Sequence, residues 1–178
     1  MANMLRDLKP GKNPPEEVDM VIEITKGSQN KFEIDKENGT IRLDRVLHPP
    51  FKYMWDYGFI PQTLSDDGDA ADGLVIVDQP SFPGAIIPVR PVGIMHMIDQ
   101  GDQDDKIICV PAKDPRSRDV KDLGDVPKKS LGEMRHFFSN YKKKEGKSTS
   151  VTGFDNAAVA RKYIKEAIEL YKKKSKGN

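Results

Sequence analysis

Four aspartates fall within seven residues of this chain, in the stretch Asp66-Asp67-Gly68-Asp69-Ala70-Ala71-Asp72. Asp and Gly tolerate the backbone dihedral angles of a tight reversal, so the composition predicts a turn. The turn does not explain the charge, because four neighbouring carboxylates repel one another unless a cation neutralises them. Carboxylate oxygens without a nearby His or Cys favour Mg²⁺, Mn²⁺ or Ca²⁺ over Zn²⁺. The alternative is a solvated acidic loop that binds nothing.

An EF-hand is the competing type of metal loop. It places acids at positions 1, 3 and 5 and a glycine at position 6. Counted from Asp67, the acids of this chain fall at positions 1, 3 and 6. The residues on both sides also have the pattern of strands, whereas an EF-hand lies between helices. The EF-hand interpretation is therefore rejected.

Composition narrows the class of protein. A chain of 178 residues is long enough for one domain with a core, and we expect a single domain over residues 1–178. The formal charge of +1 lacks the basic excess of a general nucleic-acid binder. The single cysteine, Cys109, lies in an apolar run and is expected to be a buried, inert thiol. No apolar run reaches membrane-spanning length and no signal-like segment opens the chain, so the expected location is the cytoplasm.

Short apolar and alternating segments, followed by two helical patterns, predict a small β-barrel flanked by two C-terminal helices, an α+β fold. The predicted strands cover residues 18–25, 31–35, 40–46, 51–59, 73–78, 85–92, 93–98 and 106–110. Asn38-Gly39 predicts a hairpin turn. Pro88 and Pro91 predict an edge or a bulged strand. Ser130 with Glu133 predicts a capping box for the first helix, and Asp155 or Asn156 an N-cap for the second.

A second acidic turn, with carboxylates at Asp99, Asp102, Asp104 and Asp105, lies between two of these strands. Two acidic loops at strand ends can meet in space, and this recurrence favours a metal site over a solvated loop. Hard-metal carboxylates near Lys, Arg and Tyr suit phosphate esters and anhydrides, whose oxygens need metal ions and cationic donors. The chain has no Gly-rich phosphate loop of the P-loop type.

The order of these motifs resembles that of the family I soluble inorganic pyrophosphatases of prokaryotic type. The similarity runs from residue 18 to the last helix. Its core is Asp67-Gly68-Asp69-Ala70-Ala71-Asp72, which is similar to the family signature Asp-Gly-Asp-Pro-x-Asp. Other matching pieces are Lys31-Phe32-Glu33-Ile34-Asp35, Leu43-Asp44-Arg45, Tyr53-x-x-x-Tyr57-Gly58-Phe59, Asp104-x-Lys106 and Tyr141-Lys142. Ala70, Met54 and Phe154 depart from the family pattern without removing a chemical group.

The resemblance implies a five-stranded OB-like barrel, pyrophosphate as substrate, several Mg²⁺ ions with Mn²⁺ or Zn²⁺ as substitutes, and a homohexamer. It implies that Asp69 positions and deprotonates the attacking water. The implied metal ligands are Asp67, Asp72, Asp99 and Asp104, with Glu33 contacting a metal that arrives with substrate. The implied phosphoryl-binding residues are Lys31, Arg45, Lys106, Tyr141 and Lys142, with Tyr57 beside them. Glu23 and Tyr53 are implied to line the site behind these residues.

Two other functions remain open at this stage. OB-like barrels often bind single-stranded nucleic acid through exposed aromatic side chains and a basic groove. In this chain the aromatics are interleaved with acids, which repel a phosphate backbone when no metal is bound. A hydrolase of other phosphate anhydrides would use the same kind of site as a pyrophosphatase. Membrane and nucleic-acid partners are not expected.

Overall fold

The computed structural model describes residues 3–176. The strands in chain order are β1 (Val18–Ile24), β2 (Asn30–Ile34), β3 (Ile41–Val46), β4 (Asp56–Phe59), β5 (Asp72–Val75), β6 (Ile86–Asp99), β7 (Asp102–Gln103), β8 (Lys106–Pro111) and β9 (Thr149–Asn156). The helices are α1 (Lys128–Phe138) and α2 (Ala157–Lys176). The boundaries of most predicted strands agree with the structure to within a few residues, whereas β7 and β9 have no counterpart among the predicted strands.

Five strands close into a ring. β1 pairs with β4, β4 with β5, β5 with β8, β8 with β6, and β6 again with β1. All of these pairings are antiparallel except that of β5 with β8. Closure satisfies the backbone hydrogen bonds that a sheet edge would expose. The predicted five-stranded barrel with two C-terminal helices is therefore confirmed.

β6 differs from the prediction. The sequence predicts two strands, 85–92 and 93–98, with the first at an edge or bulged, whereas the structure has one strand of 14 residues. The bulge is present, because the pairing with β8 shifts register between Pro91 and Gly93. The edge position is wrong, since β6 pairs with β1, β7, β8 and β9. Proline is tolerated in this strand because the bulge absorbs the lost ladder hydrogen bond.

The predicted strand over residues 51–59 is also too long, because only Asp56–Phe59 is a strand. The preceding aromatic residues pack against α1 and do not extend the sheet. Tyr53 donates its N–H to the Ser28 carbonyl at 2.9 Å, and its own carbonyl accepts from Gly27 at 2.7 Å. Alternating aromatics satisfy a strand pattern and a buried irregular segment equally well, so periodicity alone could not separate the two.

The β2–β3 hairpin is confirmed, with Gly39 at φ 66° in its turn. Only a residue that tolerates a positive φ fits there without strain. The predicted cap at Ser130 is wrong, because α1 already begins at Lys128 behind Pro127. Proline has a φ suited to the start of a helix, and the helix starts three residues earlier than predicted. Asn156 caps α2, accepting from the N–H groups of Ala158 and Val159 at 3.0 and 3.2 Å.

Each helix covers one of two hydrophobic clusters. α1 contributes Met134, Phe137 and Phe138 to a cluster that includes Trp55 and Met97. The cluster under α2 contains Met20, Ile22, Ala71, Ile107, Cys109, Ala160, Ile164 and Ala167. Burial of one large apolar side chain stabilises the fold by about 1.5–3 kcal/mol, so both helices are fixed firmly to the barrel. Within the described residues, no helix is long and apolar enough to cross a membrane.

Cys109 lies inside the second cluster and is fully buried. Burial in apolar surroundings raises the pKa of its thiol, because the thiolate form is not solvated there. The predicted inert cysteine is confirmed.

Candidate active site

The two acidic loops meet because of one strand pairing. β5 begins at Asp72, where the first acidic loop ends, and β8 begins at Lys106, where the second ends. The two strands are parallel neighbours, with Gly73 opposite Ile107. Parallel neighbours start at the same edge of a sheet, so the loops that precede them lie side by side. The prediction that the loops come together is confirmed.

A cleft of about 300 Å³ opens where the loops meet. Its lining residues are Lys31, Glu33, Tyr57, Asp67, Asp69, Asp72, Asp99, Gln100, Asp102, Gln103, Asp104, Lys106, Tyr141 and Lys142. Eleven of the fourteen site residues that the resemblance implies are in this set, Asp69 among them. Arg45, Glu23 and Tyr53 lie outside the lining.

Lys106 is at the centre of the cleft wall and is almost fully buried. Its Nζ lies 2.9 Å from Asp72 Oδ2 and also pairs with Asp104. Burial by itself lowers the pKa of Lys106, but these two carboxylates outweigh burial and raise it. Burial likewise raises the pKa of Asp104, although Lys106 opposes the shift. The ammonium group therefore stays charged and cross-links the two acidic loops.

Tyr57 reaches the same carboxylate from β4. Its hydroxyl donates to Asp72 Oδ2 at 2.5 Å, and its ring lies 5.8 Å from Lys106 Nζ. Burial, and then the charge of Asp72, raise the pKa of Tyr57 well above its usual range, so the phenol stays a neutral donor. The Tyr53 ring lies behind it at 5.5 Å between centroids. Tyr141 stacks on Phe137 at 5.1 Å at the opposite side of the cluster.

Two further ion pairs face the cleft. Lys142 pairs with Asp99, and both side chains are largely buried. Lys31 pairs with Glu33, two residues away on the same face of β2. Alternation along a strand places both of these side chains on the side that faces the cleft. The cationic groups thus lie among the carboxylates, and each ammonium group has an acidic partner.

Asp69 lies at the tip of the first acidic loop, about half exposed, and pairs with Lys36. The loop is held by a local turn in which Asp67 Oδ1 accepts from the Asp69 N–H at 2.9 Å. Sequence reasoning did not single out Lys36. It follows the Lys31–Asp35 motif by one residue, but nothing in its spacing shows that the hairpin carries it over the acidic loop.

Glu23 is buried behind the cleft at 7% exposure. It accepts a hydrogen bond from the Ile34 N–H at 2.7 Å. Burial, then the charge of Asp72, raise the pKa of Glu23 to about 8. Glu23, Glu33, Asp69 and Asp72 border an inner cavity of about 120 Å³ next to the cleft. Glu23 thus lines this inner cavity and not the cleft itself.

Arg45 lies outside the cleft lining. Its Nε lies 3.0 Å from Glu145 and its Nη1 lies 2.6 Å from Asp44. Its Nη2 is buried and has no hydrogen-bond partner among the described residues. A buried guanidinium donor without a partner costs free energy, which an anion could recover by accepting from it.

The donor chemistry of the cleft fits a hard divalent cation, since its lining offers carboxylate oxygens and contains no His or Cys. Over residues 3–176, however, no three carboxylate, imidazole or thiol groups converge closely enough to hold one ion. Lys106 and Lys142 instead engage oxygens of Asp72, Asp104 and Asp99. The ammonium groups engage one oxygen of each of these carboxylates, which leaves the second oxygen of each as a further donor for an ion.

Gln100, Asp102 and Gln103 also line the cleft and were not predicted as site residues. They belong to the second acidic turn, so the only signal was proximity in sequence to Asp99 and Asp104. Asp104 pairs with Lys106 in the cleft lining, whereas Asp105 lies outside that lining and bonds to His96 Nδ1 at 2.6 Å.

Comparisons of the sequence and of the structure with known proteins point to one family. The family model described as inorganic pyrophosphatase matches residues 20–172. An inorganic pyrophosphatase of Nostoc sp. is 47% identical over 163 residues, covering 92% of this chain and 96% of the relative. One of Halalkalibacterium halodurans is 49% identical, covering 89% and 97%. The crystal structure of inorganic pyrophosphatase from Thermus thermophilus matches with a TM-score of 0.93 at 44% identity, covering 96% and 99%. This chain belongs to the inorganic pyrophosphatase family.

Proposed function

We propose that this protein hydrolyses inorganic pyrophosphate to two orthophosphates in the cleft between the acidic loops, and that the reaction requires Mg²⁺. The observation that carries the proposal is the meeting of two acidic loops around buried Lys106, in a chain that belongs to this family. A pyrophosphate anion needs cationic donors for its oxygens, and a cluster of carboxylates attracts it only when cations neutralise that cluster.

The proposed ligands of Mg²⁺ are Asp67, Asp72, Asp99 and Asp104, with Glu33 as a ligand of an ion that accompanies the substrate. When bound, Mg²⁺ polarises phosphoryl oxygens and lowers the pKa of coordinated water. Mn²⁺ and Zn²⁺ are proposed as substitutes, since both accept carboxylate oxygens. Lys106 and Lys142 pair with these carboxylates, and their ammonium groups would be free to donate to substrate oxygens if Mg²⁺ took their place on the carboxylates.

Asp69 is the proposed general base. Its carboxylate is exposed at the loop tip, where it can accept a proton from the water that attacks one phosphorus atom. As the new oxygen–phosphorus bond forms, the bond from that phosphorus to the bridging oxygen breaks, and the leaving phosphate keeps the electron pair. Asp69 must first exchange its contact with Lys36 for the water.

The proposed binding groups for the two phosphates are Lys31, Arg45, Lys106, Tyr141 and Lys142, with Tyr57 beside them. Lysine and arginine hydrogen bonds to phosphate oxygens take up the charge of the leaving group. The unpartnered Nη2 of Arg45 is a donor that such an anion could satisfy. Tyr57 is neutral and donates to Asp72, so it holds this proposed ligand in place.

The nucleic-acid interpretation has less support. It requires exposed aromatic side chains, but Tyr53, Trp55 and Tyr57 are 2%, 5% and 8% exposed. Their rings pack against one another and against Phe137 and Phe138, where no base can stack on them. Hydrolysis of other phosphate anhydrides would use the same groups. Competition between such an anhydride and pyrophosphate would show which of the two is the preferred substrate.

The test is phosphate release from pyrophosphate with Mg²⁺ and then with excess chelator. We expect release that needs the metal, and that Asp69→Asn lowers kcat by about 100-fold or more while the fold is kept. Asp66→Asn is the matched control, because Asp66 lies in the same loop but outside the cleft lining. Near wild-type kcat in Asp69→Asn would show that Asp69 is not the base. A folded protein without release would refute the function itself.

We further propose a homohexamer in the cytoplasm. Exposed apolar side chains, including Leu43, Val46, Met54 and Phe82, are candidates for contacts between copies. The only cysteine is buried and unpaired, which suits a reducing compartment. Light scattering after size-exclusion chromatography should give about 120 kDa, six times the 20.0 kDa chain. Cell fractionation tests the location.

A further inference from the structure

The first acidic loop is anchored to a part of the chain about 100 residues away. Leu64 donates its backbone N–H to the carbonyl of Ala167 on α2 at 3.0 Å. The hydroxyl of Ser65 lies 2.8 Å from the hydroxyl of Tyr163, one turn earlier on the same helix. These two bonds hold the residues immediately before Asp66 and Asp67. Residues four apart on a helix share one face, so both anchors come from the same side of α2.

The helix that supplies these anchors is rigidly placed. Ala160, Ile164 and Ala167 are buried in the cluster beneath α2, and Tyr163 packs against the same cluster. Ala71, at the other end of the acidic loop, is also a member of this cluster and is fully buried. A side chain on a well-packed helix holds its partner more precisely than a side chain on a loop.

Tyr163 also lines a small space together with residues of the second acidic loop. With Ser65 it borders a small enclosed space whose other walls include Asp67, Asp72 and Asp104. Tyr163 is not among the residues that line the open cleft, so it borders the two loops from a separate space. Burial raises the pKa of the phenol to about 12, so its hydroxyl remains protonated over the range in which the enzyme is assayed. Among residues 3–176, Tyr163 is the one aromatic residue that lines this space between the acidic loops.

We propose that Tyr163 is a positioning residue, which holds the carboxylates of the two acidic loops at the spacing needed to bind a divalent cation. It touches neither the cation nor the substrate and acts through Ser65 and the loop backbone. This inference rests on the proposed metal-dependent function. Groups that orient the ligands of a metal typically contribute 10- to 100-fold to metal affinity.

The first measurement is Mg²⁺ binding by calorimetry on the chelator-stripped full chain without pyrophosphate. The variants are Tyr163→Phe, Ser65→Ala and the double variant, each of which removes one or both hydroxyls without adding bulk. We expect each single variant to raise the Mg²⁺ dissociation constant by about 10-fold. The double variant should be no worse than either single variant, because all three lose the same hydrogen bond.

The matched control is Tyr171→Phe, eight residues further along α2. Within residues 3–176 the Tyr171 hydroxyl makes no hydrogen bond, so we expect the dissociation constant for Mg²⁺ to stay at the wild-type value. In phosphate release, Tyr163→Phe should raise the Mg²⁺ concentration that gives half-maximal rate and retain kcat at saturating Mg²⁺. A higher half-maximal Mg²⁺ concentration with an unchanged kcat distinguishes a positioning residue from one that takes a direct part in the chemistry.

Two results would overturn the proposal. One is an unchanged Mg²⁺ dissociation constant in Tyr163→Phe with a lowered melting temperature, which assigns Tyr163 to packing alone. The other is a chain that binds no Mg²⁺ before substitution. A chain that binds Mg²⁺ but does not hydrolyse pyrophosphate would refute the proposed function, while the calorimetric comparison would still decide the role of Tyr163.

Discussion

Replacing Lys106 by methionine tests how the cleft is held together when no cation is bound. Methionine is close to lysine in length, so the substitution keeps the packing against Tyr57 and removes the ammonium group. The Lys106 side chain is 3% exposed and lies between Asp72 and Asp104. Its loss leaves two carboxylates facing each other without a cation.

The magnitude follows from the burial of the three groups. Removing one partner of a buried ion pair costs about 3–5 kcal/mol, because the remaining charge is left uncompensated. The Asp72 and Asp104 side chains are 31% and 21% exposed, so water solvates part of the charge that remains. We therefore expect the free energy of unfolding of Lys106→Met to fall by about 3 kcal/mol, the lower end of that range.

The assay is urea unfolding in chelator, followed by the fluorescence of the single tryptophan, Trp55, which is buried beside α1. Lys36→Met is the matched control, because Lys36 and Asp69 form an ion pair that is more than half exposed. An exposed pair contributes about 0–1 kcal/mol. Mg²⁺ should restore more stability to Lys106→Met than to the unaltered chain, since it neutralises the same carboxylates. If Lys106→Met loses no more stability than Lys36→Met, the ion-pair reasoning is wrong.

Three further predictions concern the fold. Gly58→Ala should lower stability by about 3 kcal/mol or more, since its Cβ would lie 1.9 Å from the carbonyl oxygen of Val21 on the paired strand; a melting temperature near wild type would contradict this. Gly132→Ala should raise stability by about 0.5–1 kcal/mol in urea unfolding, because Gly132 lies inside α1 with open space around it. Burial lowers the pKa of His96, but Asp105 and Asp155 together outweigh burial and raise it, so the stability that the charged histidine contributes is present below pH 6.5 and lost as pH rises through the folded-state pKa. His96→Asn should therefore destabilise more at pH 6 than at pH 9, and an equal loss at both values would refute the pairing.

Local patterns predicted the parts of the barrel well. The hairpin at Asn38-Gly39 and the Asn156 cap were recognisable because turn and cap chemistry depends on a few adjacent residues. The extent of β6 and the first residue of α1 could not be recognised from the sequence. A proline is compatible with an edge strand or with a bulge in a central strand, and only the neighbouring strands decide between these outcomes. The start of α1 moved because Pro127 competed with Ser130 for the same role.

For the candidate site, the sequence supplied the residue types and the tertiary structure supplied the pairings. The density of carboxylates in residues 66–72 and 99–105 was readable directly, because it is a property of composition. That Lys106 bridges Asp72 and Asp104 depends on the parallel pairing of β5 with β8, which joins residues more than 30 positions apart. The anchor from Tyr163 to Ser65 spans 98 positions and carries no sequence signal.

The sequence by itself determined most of the strands, both helices, the turn chemistry and the supply of acidic and basic groups, because each depends on neighbouring residues. Barrel closure, the alignment of two acidic loops at one sheet edge and the burial of Lys106 and Glu23 were decided by the tertiary structure. These properties depend on long-range pairing and on the removal of water. Burial gives identical side chains different charges and partners according to what surrounds them.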